Sequence, residues 1–273
     1  MVLVDTHCHL NMMIKKEFDV PLHIPFDHDI QTILVDAQKS DVSLIINVGT
    51  SIVESKNCIT LAQSFAPIFA TVGIHPNDIG TNWRQDLATL QLWLTNKERN
   101  KIVGVGECGL DFHYPDYNIQ LQKDVFKAQI ELSLEHNVAL VVHSRDAYDE
   151  TLRALEEYRN ELKRVIMHCF SYDQHFAQQI IAWNFYLGIG ATISYPKNNE
   201  LRSIVTNTDL AHMVLETDAP FLPPQPMRGE KNHPKNISFI ADYVAVLKET
   251  NRDTVAQVTS KNALHIFQLS NFI

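Results

Sequence analysis

The sequence predicts an α/β fold, and within that class a (β/α)8 barrel with a metal site at the C-terminal ends of its strands. Three observations carry the expectation. Short apolar runs recur along the 273 residues, amphipathic stretches of helical spacing separate them, and histidines and carboxylates collect where the runs end. The competing arrangement is a doubly wound open sheet. No Pro/Gly/Ser-rich linker divides the chain, so residues 1–273 are expected to form one barrel domain.

Taken in order, the runs are Val2–Val4, Leu44–Val48, Ile68–Val72, Ile102–Val105, Val138–Val142, Val165–Met167, Phe185–Ile189 and Met213–Leu215. Each is short and rich in β-branched or aromatic residues, as a strand buried on both faces requires. Asp29–Lys39 places Ile30, Ile33, Leu34 and Ala37 on one face of a helix. Asn118–Glu135 does the same with Leu121, Val125, Ala128, Ile130, Leu132 and Leu134. Ala147–Tyr158, His175–Trp183 and Asn236–Lys248 continue the rhythm, and Asp253–Leu269 reads as a closing helical segment. Asn11–Asp27, with Met12, Met13, Phe18 and Phe26, is expected to be a packed surface loop after the first strand.

Composition removes several classes. With 45% hydrophobic residues the chain can bury a sizeable core, so disorder is excluded. Four scattered Cys without a CxxC pair make neither a disulfide framework nor a thiolate metal site. A net charge of −9 argues against a broad basic nucleic-acid footprint. No run reaches the roughly 18 apolar residues of a membrane span, and Met1–Asp5 holds no signal-peptide core, so a cytoplasmic protein without a membrane partner is expected. No exposed apolar helix stands out, and a monomer is expected.

A barrel carries its chemistry at the C-terminal ends of its strands. The first run leads into DTHCHL with His7 and His9, and the third into VGIHP with His75. The fourth leads into GVGECGLD with Glu107 and Asp111, and the fifth into VVHSRD with His143 and Arg145. The sixth leads into IMHCFS with His168, and the eighth into LETDAP with Glu216 and Asp218. Strand alternation puts Asp5, His7 and His9 on one side and Cys8 on the other, so Cys8 faces the helices. Imidazoles mixed with carboxylates suit a transition-metal or zinc-type site better than a lone magnesium. His113 and His233 are loop candidates for substrate contact. Gly104-Val-Gly-Glu-Cys-Gly109 matches the dinucleotide fingerprint, but Glu107 repels a pyrophosphate and no helix start follows. Those glycines are expected to give bound ions room.

In this order, DTHCHL, GIHP, GECGLD, VVHSRD, MHCFS and ETDAPFLPP resemble the TatD family of metal-dependent deoxyribonucleases, amidohydrolase-like hydrolases on the same barrel. The resemblance runs from Asp5 to about Pro234. It implies two divalent metal ions, Zn, Mn or Mg, held by His7, His9, Glu107, His143, His168 and Asp218. It implies DNA as substrate, as a single strand or a 3′ end, with RNA as a further substrate and a 3′-5′ exonuclease activity in DNA repair. One departure stands out: the loop Arg228–Pro234 carries His233 where the family commonly has an acid.

On that reading Glu107 bridges the ions, His7, His9 and Asp218 complete one, and His143 and His168 complete the other. Asp218 serves as general base, while Glu216 and Asp111 orient ligands. His75, Arg145, Arg228 and Lys231 are expected to contact phosphate, with Lys197 beside them. Phe112, Tyr114, Phe170, Tyr195 and Phe221 are candidates for stacking on bases. Two divalent ions offset only part of a charge of −9, which favours local capture of a strand end over duplex wrapping. A small-molecule amidohydrolase, lactonase or phosphotriesterase-like enzyme is the alternative, and it requires a closed, mostly apolar pocket.

Overall fold

A computed structural model describes residues 2–15, 17–23 and 29–270. Eight parallel strands form one sheet in sequential order. They are β1 (Leu3–Cys8), β2 (Val42–Val48), β3 (Ile68–Val72), β4 (Ile102–Asp111), β5 (Ala139–Arg145), β6 (Val165–Met167), β7 (Tyr186–Ile189) and β8 (Met213–Leu215). The sheet curls until β8 meets β1. Cys8 bridges Ala219 in parallel, Asp218 N donates to His7 O at 2.8 Å, and His9 N donates to Ala219 O at 2.7 Å. Closure therefore brings His7 and His9 beside Asp218. Among the described residues no helix is long and apolar enough to cross a membrane.

Strand alternation sorts the apolar side chains into two layers. Val4, Leu44, Ile46, Val48, Val103, Val141, Ile166 and Val214 fill the barrel, where Ala263, Ile266 and Phe267 join them. Leu3, Ile45, Val105, Leu140 and their like face the surrounding helices. Strict alternation puts Val4 and Cys8 on one face, yet Val4 lies inside the barrel while Cys8 belongs to the outer layer. The register of β1 against β2 shifts between Leu3 and Val4 and again between Asp5 and Cys8, and such irregularities re-aim side chains at a strand end.

The anticipated helices appear as Asp29–Lys39, Ile119–Glu135, Tyr148–Tyr158, Gln174–Ala182, Ile237–Leu247 and Arg252–Ile266. Ile52–Ser64, Trp83–Thr95 and Asn199–Asn207 are further helices that the apolar pattern did not reveal. The first of these buries Glu54, Ser55 and Asn57, which break its apolar stripe, although Ser51 caps it by accepting from Glu54 N. In the expected insert, Leu10–Met13 forms a helical turn, Met12 is half-buried and Phe18 is exposed. Phe26 and His28 lie outside the described residues.

The glycines of β4 have a packing reason of their own. A Cβ on Gly106 would stand 2.5 Å from Val141 O, and one on Gly109 would stand 1.9 Å from His143 O. Their φ angles of 136° and 147° also disfavour a side chain. These glycines let β4 press against the backbone of β5, a contact the sequence reading did not anticipate.

Candidate metal centre

The end of β1 and the chain after β8 build the floor of a pocket at the C-terminal mouth of the barrel. His7 Nε2 and His9 Nε2 lie 3.2 Å apart. Glu107 Oε2 stands 3.4 Å from His7 Nε2 and 3.8 Å from His9 Nε2, and Asp218 Oδ1 stands 3.8 and 3.4 Å from them. Donors about 2.0–2.1 Å from a tetrahedral ion lie about 3.3 Å from one another, so these spacings suit a shared cation. The tautomer agrees. His9 Nδ1 lies 2.9 Å from Val48 O, a carbonyl that takes its proton and leaves Nε2 as the lone-pair nitrogen.

The other oxygen of Glu107 faces a second set. Glu107 Oε1 lies 2.8 Å from His143 Nδ1 and 3.8 Å from His168 Nε2, and His168 Nε2 lies 3.9 Å from Asp218 Oδ1. One carboxylate thus divides its oxygens between two groups of imidazoles. The ring of His168 stacks on that of His7 at 3.4 Å. Behind it, Glu216 Oε1 lies 2.9 Å from His168 Nδ1 and accepts from Cys169 N at 2.6 Å. His7 Nδ1 and Glu216 Oε2 are buried without hydrogen-bond partners among the described residues, which marks a polar cluster suited to an added cation.

Electrostatics follow from this crowding. Burial opposes charge on Glu107, yet His168, His143 and His7 hold its carboxyl well below the usual range. Burial also opposes charge on His168, but Glu216 and Glu107 outweigh it and hold the ring protonated up to about 10. A cation placed here displaces that proton, so its binding weakens as pH falls. Burial pushes Asp5 up to about 7, and Thr217 N and Oγ1 hold its carboxyl at 2.9 and 2.6 Å, tying β1 to the chain after β8.

His75 lines the pocket beside His143, and Asp111 lies buried behind it. Asp111 Oδ2 lies 3.1 Å from His143 Nε2 and accepts from Asn77 Nδ2 at 2.9 Å. His75, Asp111 and His143 could by spacing hold a metal ion themselves. One helix aligns both strand ends. From Ile119–Glu135, Gln122 accepts from Asp111 N and donates to Asp111 O at 2.9 Å each, while Gln129 accepts from Ile74 N at 2.8 Å and donates to Ile74 O at 3.0 Å. Sequence reasoning missed both glutamines and Asn77. The signal available was a buried-face Gln recurring after seven residues, two helical turns.

The pocket encloses about 610 Å³, and Arg145, Phe18, Phe221, Met12 and Leu222 line it beside the polar floor. Arg145 sits over the ring of Tyr114 at 5.9 Å. Arg228 and Lys231 are exposed and outside that lining, with Arg228 over Tyr195 at 4.8 Å. Lys197 is exposed, and His113 pairs with Asp146 at 2.9 Å. Phe221, 48% exposed, meets the His9 ring edge-on, and Tyr114 is exposed. Phe112 stacks on Tyr117. Phe170 is 2% exposed and packs among Tyr172 and Phe176, so it is a core residue and no stacking platform. Asn232, also unforeseen, is buried and donates to Thr217 O at 2.7 Å, which pins the Arg228–Pro234 loop to the site.

A family model described as TatD related DNase matches residues 4–268. The uncharacterized metal-dependent hydrolase YabD of Bacillus subtilis is 30% identical over 98% of this chain and 100% of its own length. The 3′-5′ ssDNA/RNA exonuclease TatD of Pectobacterium carotovorum is 27% identical over 93% of this chain and 100% of its own. Among solved structures, the TatD homologue YjjV of Escherichia coli superposes with a TM-score of 0.87 and 27% identity, covering 98% of each chain.

Proposed function

This chain belongs to the TatD-related DNase family, and we propose that it cleaves phosphodiester bonds of DNA as a metal-dependent 3′-5′ exonuclease on single strands or strand ends. Residues 1–273 act as one barrel domain. The observation that carries the reading is the division of Glu107, with Oε2 toward His7 and His9 and Oε1 toward His143 and His168. His7, His9, Asp218 and Glu107 would hold one divalent ion, and His143, His168 and Glu107 a second. Such a pair, of Zn, Mn or Mg, would supply a water acidified toward neutrality and would offset charge on the phosphoryl group.

The side chains divide the remaining work. Burial opposes charge on Asp218, yet the imidazoles around it lower its carboxyl below the usual range, and it would take the proton of the attacking water. Glu216 orients His168 and Asp111 orients His143. Arg145 meets the backbone phosphate at the pocket wall, while Phe18 and Phe221 offer faces on which terminal bases stack. Arg228 and Lys231 stand farther out along the path of a longer strand. RNA ends fit the same scheme, since the reacting group is the phosphodiester.

The test is nucleotide release from 3′-labelled single-stranded DNA with Mg, Mn, Zn or a chelator, for the wild type and Asp218→Asn. Metal-dependent release that Asp218→Asn abolishes is expected. Equal release by the two proteins would reject the site.

A further inference from the structure

His75, Asp111 and His143 stand close enough to hold a cation of their own, and His75 lines the pocket 3.7 Å from Glu107 Oε1. The hydrogen bonding of the His75 ring decides otherwise. We propose that His75 is not a metal ligand but an uncharged hydrogen-bond donor, its proton fixed on Nε2, that contacts a non-bridging oxygen of the reacting phosphodiester. This rests on the nuclease reading for the identity of the substrate, but not for the state of the ring.

The backbone fixes that state. His75 caps the turn Pro76–Asp78, and Asn77 N donates to His75 Nδ1 at 3.1 Å. Pro76 has no N–H, so the amide of Asn77 is the first donor the turn offers. A backbone N–H can only donate, so Nδ1 must be the bare nitrogen. In a neutral ring the proton then resides on Nε2. A ligand nitrogen needs an available lone pair. The one on Nδ1 is engaged by Asn77, and Nε2 has none while it carries its proton.

The corner is rigid enough for this to matter. His75 N donates to Thr50 O at 2.7 Å, and both backbone groups of Ile74 are clamped by Gln129. The Nε2 face remains open to the pocket, with the His75 side chain 15% exposed. At 3.7 Å from Glu107 Oε1 it lies beyond hydrogen-bond reach of that oxygen and is available to another. An uncharged donor suits a position beside two cations. It stabilises negative charge developing on phosphoryl oxygen, without the repulsion an imidazolium would bring. His75 keeps its proton throughout, and no bond to it forms or breaks.

The experiment has three arms on the full chain. In zinc-loaded ¹⁵N-labelled protein, long-range ¹H–¹⁵N correlations, with the His75 signals assigned by their loss in His75→Gln, are expected to show a bare Nδ1 and a protonated Nε2. Metal content by elemental analysis is expected to be the same in the wild type, His75→Ala and His75→Gln. On 3′-labelled single-stranded DNA, His75→Ala is expected to lower kcat/KM about 100-fold, and His75→Gln, whose amide also donates, to recover at least about tenfold of that. A protonated Nδ1, or loss of a metal equivalent in His75→Ala, would overturn the proposal. Equal loss in His75→Ala and His75→Gln with both proteins folded would do so too. If the wild type cleaves no nucleic acid, the phosphodiester contact fails with the nuclease reading, while the ring and metal arms still decide whether His75 is a ligand.

Discussion

Two His-Pro corners in this molecule are built alike and placed differently. His75 precedes Pro76 and His233 precedes Pro234, each opens a 3₁₀ turn, and in each the Nδ1 accepts at 3.1 Å from the backbone N–H two residues on. The dipeptide therefore sets the ring state at both sites. Position sets everything else. His75 follows β3 into the pocket, where burial and the neighbouring His143 push it down to about 3. His233 sits on the rim loop outside the pocket lining, lowered by burial and by Lys235. A motif that looks the same twice in the sequence has one copy in the pocket lining and one outside it. The same contrast of depth separates Glu107, 6% exposed at its side chain, from Arg228 and Lys231 on the exposed rim.

The most severe way to probe depth is at the floor. Glu107→Gln keeps the shape and removes the charge that both groups of imidazoles share. It is expected to lower kcat/KM on single-stranded DNA by more than about 10³, together with a fall in bound metal measured by elemental analysis. Retained metal and activity would erase the distinction between floor and rim. The paired corners give the next largest effect. Against the ~100-fold loss expected for His75→Ala, His233→Ala is expected to stay within about twofold of wild type. A comparable loss at His233 would mean that the turn itself, and not its depth, is what matters.

A smaller effect is expected one step behind the ligands. Asp111→Asn removes the charge facing His143 Nε2 but leaves the bond from Asn77 and the clamp by Gln122 within geometric reach. Metal affinity or activity is expected to fall about 10- to 100-fold. Titration of metal-free protein with Zn or Mn, followed by calorimetry, reads the affinity directly.

How much of this was legible follows from the same contrast. His7, His9, His75, Glu107, Asp111, His143, Arg145, His168, Glu216 and Asp218 were readable as a group because a parallel barrel presents the ends of all its strands at one mouth, and the family resemblance singled out six of them as ligands. Gln122, Gln129, Asn77 and Asn232 were not. Gln122, Gln129 and Asn232 act on backbone groups of distant segments and Asn77 on the Asp111 carboxylate, and such an amide reads as solvent-facing until the segment it meets is known. The packing reason for the glycines of β4 was not readable either. Their close contacts are with β5 carbonyls, and strand adjacency at atomic distance is a tertiary fact. Phe170 failed likewise, since its place near a strand end gave no sign of the aromatic cluster that buries it.

The rim itself supplies the smallest and most discriminating effect. Arg145 ends β5, lines the pocket and rests over Tyr114, whereas Arg228 rests over Tyr195 outside the lining. Each phosphate neutralised on a single strand contributes about −0.7 to the slope of log affinity against log salt. With a net charge of −9 the protein has few such contacts to give. Arg145→Ala is expected to raise KM about threefold to tenfold, leave kcat within about twofold, and flatten the slope by about 0.7. Arg228→Ala and Lys231→Ala are expected to change both quantities little on a short oligonucleotide, because a strand end seated in the pocket does not reach them. Measuring KM between 50 and about 200 mM salt separates the cases. If Arg228→Ala flattens the slope as much as Arg145→Ala, the strand runs out along the rim loop, and capture extends well beyond the pocket.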